Sequence, residues 1–343
     1  MKKPHKVLLA IESSCDDTGA SVMIDANIAS NVVSSQIDHA KWGGVIPELA
    51  SRKHMEAIGR VVDQAILDAE IKKSDIDAIA FTRGPGLMGA LLVGVSFAKG
   101  MAQALQIPII EVNHMEAHIL AHFIDPPVPK YPFLCLTVSG GHTQIVRVDA
   151  WDQMTILGQT LDDAAGEAFD KAGKIMGLPY PAGPLIDQLA RDGNPVYDLP
   201  QAQVKKYHFS FSGLKTAFLY FLQNQMKQDP SFIENNKADI AASLQHAIIK
   251  ALTKPLVLAS RETGIPRIAI AGGVSANQGL RKKIKELGKQ ENWEIFIPRL
   301  EYCTDNAAMI AQAAWFKFDA GQFSDWNITA DPRLKVNEHP SVS

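Results

Sequence analysis

The stretch VLLAIESSCDDTGASVMI, residues 7–24, opens with an apolar run from Val7 to Ile11, breaks into a polar turn from Glu12 to Thr18, and resumes as alternating residues from Ala20 to Ile24. That pattern reads as a β-hairpin. It recurs in FLCLTVSGGHTQIVRV, residues 133–148, where Phe133 to Val138 is apolar, Ser139 to Thr143 is the turn, and Gln144 to Val148 alternates. Two such hairpins, about 126 residues apart, point to a duplicated domain.

Outward from the first hairpin, Ile46 to Glu70 has helical apolar spacing, with Ile58, Val61, Val62, Ala65 and Ile66 on one face. Ile76 to Phe81 reads as a buried strand, Gly84 to Gly89 opens a helix to Leu105, and Pro108 introduces a strand from Ile109 to Val112. Beyond the second hairpin, helices are expected near Asp163–Met176, Pro184–Asp192, Gly213–Lys227, Ile240–Thr263 and Ala276–Leu287, with a strand at Arg267–Ala271. Alternating strands and helices predict an α/β protein with mostly parallel sheets. From Asn327 the tail is polar, contains Pro332 and Pro340, and is expected to be loosely held.

The composition agrees with this and excludes other classes. At 343 residues the chain suits about two domains. Apolar residues make up 46% and charged residues 21%, which excludes disordered, collagenous and coiled-coil chains. The longest apolar run, Gly86 to Ala98, stops at Lys99, short of the roughly 20 residues of a membrane span, so no membrane association is expected. Lys2-Lys3 precedes only Val7 to Ile11 before acidic residues intrude, so no signal-peptide apolar region is read and the cytoplasm is the expected location. Cys15, Cys135 and Cys303 are far apart and form no Cys-x-x-Cys, and are read as reduced thiols. The net charge of −3 argues against nucleic-acid binding over the whole surface. Local basic clusters, Lys205-Lys206 and Arg281-Lys282-Lys283-Lys285, are candidates for holding a structured RNA, the alternative being solvated faces.

Three motifs carry candidate chemistry. In HMEAH, residues 114–118, the two histidines lie about 40° apart on one helical face, close enough to share a metal, with Asn113 as the expected N-cap. His122 is roughly 12 Å further along and cannot join them. The zinc-protease pattern is a rival, but it places glutamate one residue after the first histidine. Glu116 comes two residues after, about 200° round the helix from His114. Next, GPGLMG, residues 84–89, matches a dinucleotide fingerprint by pattern, although Pro85 removes a backbone donor where a pyrophosphate would need one. Finally, Ser139-Gly140-Gly141 sets bare backbone N–H groups at a strand turn. With the equivalent turn at Ser13–Asp17 and AGGVSAN, residues 271–277, it suggests a nucleotide held between duplicated domains. No P-loop signature occurs in the chain.

Together these motifs resemble one family, the TsaD (Gcp) family of tRNA N6-adenosine threonylcarbamoyltransferases. The resemblance runs from about Val7 to Gly321 and is carried by IESSCDDTG (11–19), HMEAH (114–118), VSGGHT (138–143), Asp162 to Lys174, FSFSGLKT (209–216), AGGVSAN (271–277) and CTDNA (303–307). It implies an α/β chain of two duplicated actin-like ATPase domains of the ASKHA, RNase H-like type with a cleft between them. Their expected limits are 1–107 plus 306–326 and 108–305, followed by the polar tail 327–343, with the last helix returning to the first domain.

The resemblance further implies transfer of a threonylcarbamoyl group from threonylcarbamoyl-adenylate to N6 of adenosine 37 in tRNAs reading codons that start with A. His114, His118 and Asp305 would hold one divalent ion, Fe²⁺, with Zn²⁺ also suited to His₂Asp ligation. Thr137, Val138, Ser139, Gly140, Gly141, Asp170, Gly183, Asp187 and Asn277 would contact the nucleotide-bearing substrate. Glu12 and Asp16 are candidates, on position only, for taking the amine proton. The expected partners are tRNA, a smaller paralogue of the same fold (TsaB-like) and a P-loop ATPase (TsaE-like). One departure stands in YPAGP, residues 180–184: Ala182 occupies a place where the family often has glycine, and its methyl is expected to crowd the ribose side.

Overall fold

Six consecutive buried residues make β1 (Val7–Glu12) a strand covered on both faces. It turns back into β2 (Asp17–Ile24) as the expected hairpin, in register from Val7↔Ile24 to Glu12↔Gly19. The structure is a computed structural model that describes residues 5–36, 39, 42–202 and 204–337. The basic start Lys2-Lys3 and the end of the tail, 338–343, lie outside the described residues. β3 (Asn27–Ser35) pairs antiparallel with β2. After α1 (Pro47–Asp68), β4 (Ala78–Gly84) pairs parallel with β1. After α2 (Met88–Leu105), β5 (Ile109–Asn113) pairs parallel with β4. The sheet order is β3-β2-β1-β4-β5, and α3 (His114–Leu120) leaves β5 without a loop.

The second sheet repeats the plan. β6 (Phe133–Val138), β7 (Thr143–Ala150) and β8 (Gln153–Gln159) form its first half. There follow α4 (Ala165–Ile175), α5 (Gly183–Ala190), α6 (Ser212–Gln228), α7 (Phe232–Asn235) and α8 (Lys237–Thr263). Then come β9 (Arg267–Ala271), α9 (Gln278–Glu291) and β10 (Glu294–Phe296). The order β10-β9-β6-β7-β8 mirrors the first sheet strand for strand. The expectation of mostly parallel sheets needs correction, because each sheet joins an antiparallel half to a parallel one. The polar turns after β1 and β6 send the chain straight back beside its first strand, before any crossover helix. β3 and β8, which no expected element covers, complete the antiparallel halves. β3 is rich in Asn and Ser and has only Ser30 buried, so it lacks the apolar signal of an inner strand.

The chain forms two compact units, Met1–Val128 with Trp151–Gln153 and Arg299–Ser343, and Pro129–Ala150 with Met154–Pro298. By compactness, residues 108–128 and 299–305 therefore group with the first unit rather than with the 108–305 segment, since β5 extends the β1 sheet. α10 (Ala307–Asp319) packs in this unit against β1, β2 and α3 through buried Ala307, Ala308, Ala311 and Ala314. Small side chains permit the approach: a Cβ at Gly19 would stand 3.0 Å from the Ala307 nitrogen.

The tail departs from expectation up to Asn337. Ala330 and Leu334 are buried, and the Asp331 N–H donates to the Arg83 carbonyl. Asn113 Nδ2 donates to the Lys335 carbonyl at 2.8 Å, and the Asn337 N–H to Glu116 Oε1 at 2.8 Å. Two apolar anchors and backbone hydrogen bonds hold a segment whose composition is polar. α2 ends at Leu105 as expected, and by length and composition alone it could cross a membrane, its Lys99 notwithstanding. Its buried face, Leu91, Val95, Ala98 and Ala102, belongs to the first unit's core.

Candidate metal centre and substrate turns

α3 starts where β5 ends, so its first residue stands at the carboxyl edge of a parallel strand pair. Asn113 caps it as expected, its side chain accepting from the Met115 and Glu116 N–H groups. The four-residue spacing then brings the rings of His114 and His118 to a centroid distance of 4.7 Å. Both face Asp305 Oδ1, with His118 Nε2 at 3.2 Å and His114 Nε2 at 3.5 Å. Asp305 lies just before α10, where it would be free to cap the helix, but Asn306 has that task and accepts from the Met309 N–H at 3.0 Å.

Glu12, at the end of β1, is fully buried beneath the histidines. Its carboxylate accepts from the Ser14 N–H at 2.5 Å and the Thr82 hydroxyl at 2.6 Å, and lies 3.2 Å from His114 Nδ1. A carboxylate at Nδ1 sets the ring's orientation and leaves Nε2 as the outward donor. Ser14 Oγ lies 3.3 Å from the same nitrogen. Burial opposes a charge on His114, but Asp305 and Glu12 outweigh it and push the ring up to about 10. Burial pulls His118 below the ordinary imidazole range, against its hydrogen bond to Asp305. Burial also opposes ionisation of Asp305, yet the His114 charge and the hydrogen bonds from both rings hold it well below the usual carboxylate range.

The donor set fits a divalent ion. One ligand atom from each of His114, His118 and Asp305 lies within 4.8 Å of the others. His118 Nδ1 is buried without a hydrogen-bond partner among the described residues. Two imidazoles and one carboxylate suit Fe²⁺ or Zn²⁺. Asp16 lies half-exposed on the turn above, next to Cys15, whose thiol is pushed far up by burial and by Asp16 itself.

The rival readings lose their support here. Glu116 accepts from the tail at Asn337 and does not face the histidine pair. The glycines of residues 84–89 are required by contacts within the protein. A Cβ would meet the Asp331 carbonyl oxygen at 1.8 Å from Gly84, the Ser14 carbonyl oxygen at 2.4 Å from Gly86, and Ser51 Oγ at 2.3 Å from Gly89. No room is left there for a pyrophosphate to approach the backbone.

The second unit carries the other candidates. Thr137 and Val138 end β6, and the following turn closes on itself, Ser139 N–H to the His142 carbonyl and His142 N–H to Ser139 Oγ. Neither Gly140 nor Gly141 has a positive φ, and a Cβ at either meets nothing within 4 Å, so these glycines leave the turn open rather than permit its shape. The sterically required glycines are their neighbours. A Cβ on Gly166, at the start of α4, would stand 2.7 Å from the Ser139 carbonyl oxygen; one on Gly272, at φ +84°, would stand 2.5 Å from the Val138 carbonyl oxygen.

Asp170 Oδ1 accepts from the Ala182 N–H at 2.8 Å and the Gly183 N–H at 3.4 Å. The Ala182 methyl packs on Gly173 of α4 and is buried, so it does not crowd an open ribose side. Asn277 caps α9, accepting from the Leu280 N–H, while its amide donates to Gln245. Asp187 accepts from the Gln278 and Gly279 N–H groups at the same helix end. Asp187, Gln278 and Gly279 line a cavity of about 560 Å³, which Thr137–Gly141, Asp170 and Gly183 do not line.

The family model described as TsaD, tRNA N6-adenosine threonylcarbamoyltransferase, matches residues 27–312. A protein of that name from Cytophaga hutchinsonii is 56% identical, over 96% of each chain. One from Clostridium beijerinckii is 50% identical over 97% of this chain and 99% of its own. Among solved structures, full-length HypF in its phosphate- and nucleotide-bound form aligns with a TM-score of 0.58 at 13% identity, covering 92% of this chain and 47% of HypF. Component A of (R)-2-hydroxyglutaryl-CoA dehydratase from Acidaminococcus fermentans aligns with a TM-score of 0.54 at 14% identity, covering 93% of this chain and 100% of its own. These structural likenesses bear on the fold, which is of the actin-like ATPase type.

Proposed function

The chain belongs to the TsaD family of tRNA N6-adenosine threonylcarbamoyltransferases, and on that premise we propose that it moves the threonylcarbamoyl group of threonylcarbamoyl-adenylate to N6 of adenosine 37 in tRNAs reading codons that start with A. The observation that carries this reading is the near full-length family identity together with the convergent His114, His118 and Asp305 donors. N6 bonds to the carbamoyl carbon, the bond from that carbon to the adenylate phosphate oxygen breaks, AMP leaves, and the amine loses one proton. Because the mixed anhydride is already activated, the protein's task is to position two substrates and stabilise developing charge.

A divalent ion, Fe²⁺ in our assignment with Zn²⁺ also suited, would supply Lewis acidity toward a phosphate or carbamoyl oxygen when held by His114, His118 and Asp305. Glu12 then acts through His114, since its buried oxygens are engaged by Ser14, Thr82 and that ring. Asp16 is the more exposed of the two carboxylates considered for the amine proton, and we assign that role to it. The open turn Ser139-Gly140-Gly141 offers its backbone to the adenylate phosphate. Asp170 Oδ2 has no donor among the described residues, and so is free for a ribose hydroxyl beside Gly183. Asp187 and Asn277 brace the start of α9, and in this reading they shape the adenine side through it. The reading also includes the TsaB-like paralogue and the TsaE-like ATPase as partners.

Nucleoside analysis of tRNA from cells depleted of this protein tests the assignment. Loss of threonylcarbamoyl-adenosine with other modified nucleosides unchanged is expected, and an unaltered level would refute it.

A further inference from the structure

Between Asp239 and Glu262 helix α8 contains no acidic residue, and the charges it carries over that span, Lys250, Lys254 and Arg261, are all positive. They border a concavity of about 830 Å³ in the second unit, joined by Lys206 across it, with Val257 and Leu258 along its wall. No Asp or Glu lines this concavity among the described residues. Arg261 is neutralised by a two-pronged contact with Glu291 at 2.8 and 2.6 Å. Glu262, the next acid along the helix, accepts from the Tyr207 hydroxyl. Lys206, Lys250 and Lys254 are exposed and have no carboxylate partner among the described residues.

Lys250 and Lys254 sit one turn apart, about 6 Å along the axis, where like charges repel unless an anion lies between them. The other basic cluster is partly engaged within the protein: Arg281 donates to the Ser275 and Pro298 carbonyls, and Lys283 pairs with Glu286 across the surface, while Lys282 and Lys285 stay exposed. The net charge of −3 also conceals an asymmetry. Lys and Arg outnumber Asp and Glu by 19 to 15 in the second unit, while the first has 15 against 22. Such a division of charge is the footprint of a polyanion partner.

We propose that this concavity binds the phosphate–sugar backbone of RNA through Lys206, Lys250 and Lys254. This rests on the transferase reading, under which the RNA is the tRNA substrate. The lysines meet phosphates as point charges, and the apolar wall at Val257 and Leu258 accepts ribose or base faces; contacts of this kind set the position of the RNA without reading its sequence.

The test is the exposed double variant Lys250→Glu/Lys254→Glu beside Lys250→Arg/Lys254→Arg, each compared with wild type in unfolding midpoint, binding of purified tRNA over a salt series, and steady-state kinetics. Charge reversal should weaken tRNA binding at least tenfold and raise KM for tRNA similarly, with kcat and KM for threonylcarbamoyl-adenylate unchanged. The slope of log affinity against log salt should fall by about two phosphate contacts, roughly 1.4–1.8. The arginine variant should bind as wild type. Should reversal destabilise the fold, Lys250→Ala/Lys254→Ala must show the same loss of slope. Unchanged tRNA affinity and slope would overturn the proposal, as would a defect confined to binding anionic vesicles or an acidic protein. If wild type binds tRNA through these lysines but transfers nothing to it, the transferase reading fails while the RNA surface stands.

Discussion

His118 Nε2 lies 3.2 Å from Asp305 Oδ1, although 187 positions separate them in the chain. The neighbouring Asn306 caps α10, so Asp305 is not needed as the cap and is available for the proposed metal role. Asp305→Asn should therefore lose bound metal and transfer activity by at least tenfold and still unfold cooperatively. Asn306→Ala should keep its metal and lose about 1 kcal/mol of stability. Metal analysis and urea unfolding of the two variants check this.

In the proposed centre Glu12 orients His114, whose Nδ1 lies 3.2 Å from its carboxylate. Glu12→Gln preserves size but removes the charge that supports the ring, and should lower metal affinity or activity by about 10–100-fold. Metal titration of the apo variant is the readout. The KM for tRNA should not change.

Asp17 has a pH signature of its own. Burial pushes its carboxyl up to about 7, opposed by a hydrogen bond from Ser35 and assisted by the charges of Asp305, Asp16 and Glu12. A carboxyl raised in the folded state binds more protons folded than unfolded between its ordinary value and about 7. Its contribution is thus fully present at low pH and is lost as pH rises through that window. Asp17→Asn should flatten this part of the curve of urea midpoint against pH, in protein of matched metal content, and should be relatively more stable above pH 7.

The glycines around the 139–141 turn divide by function. Gly140→Val places its side chain in open space, so the fold should be retained while adenylate binding weakens. Gly166→Ala drives a Cβ against the Ser139 carbonyl and should destabilise by about 1–3 kcal/mol. Calorimetric titration and thermal melting separate the two outcomes.

The histidine pair is legible in the sequence because helical spacing on a segment that follows a strand dictates that the rings meet. The duplicated hairpins likewise announce both sheets. Glu12 is not legible as a partner of His114, since only the β1-β4-β5 order brings the end of β1 beneath α3. β3 escapes because a polar edge strand lacks the apolar signal, and β8 because Met154, Ile156 and Leu157 make too short and irregular an apolar pattern to stand out. The tail escapes because backbone groups hold it, and backbone hydrogen bonds leave no trace in residue identity. The Ala182 methyl is resolved only by seeing Gly173 opposite it.

Mass spectrometry of tRNA digested after reaction with purified protein, its partner proteins and threonylcarbamoyl-adenylate tests the account most directly. Wild type should convert unmodified tRNA to threonylcarbamoylated tRNA with release of AMP, and Asp305→Asn should not. Absence of modified adenosine with a complete and active partner set, or full activity in metal-free Asp305→Asn, would contradict it.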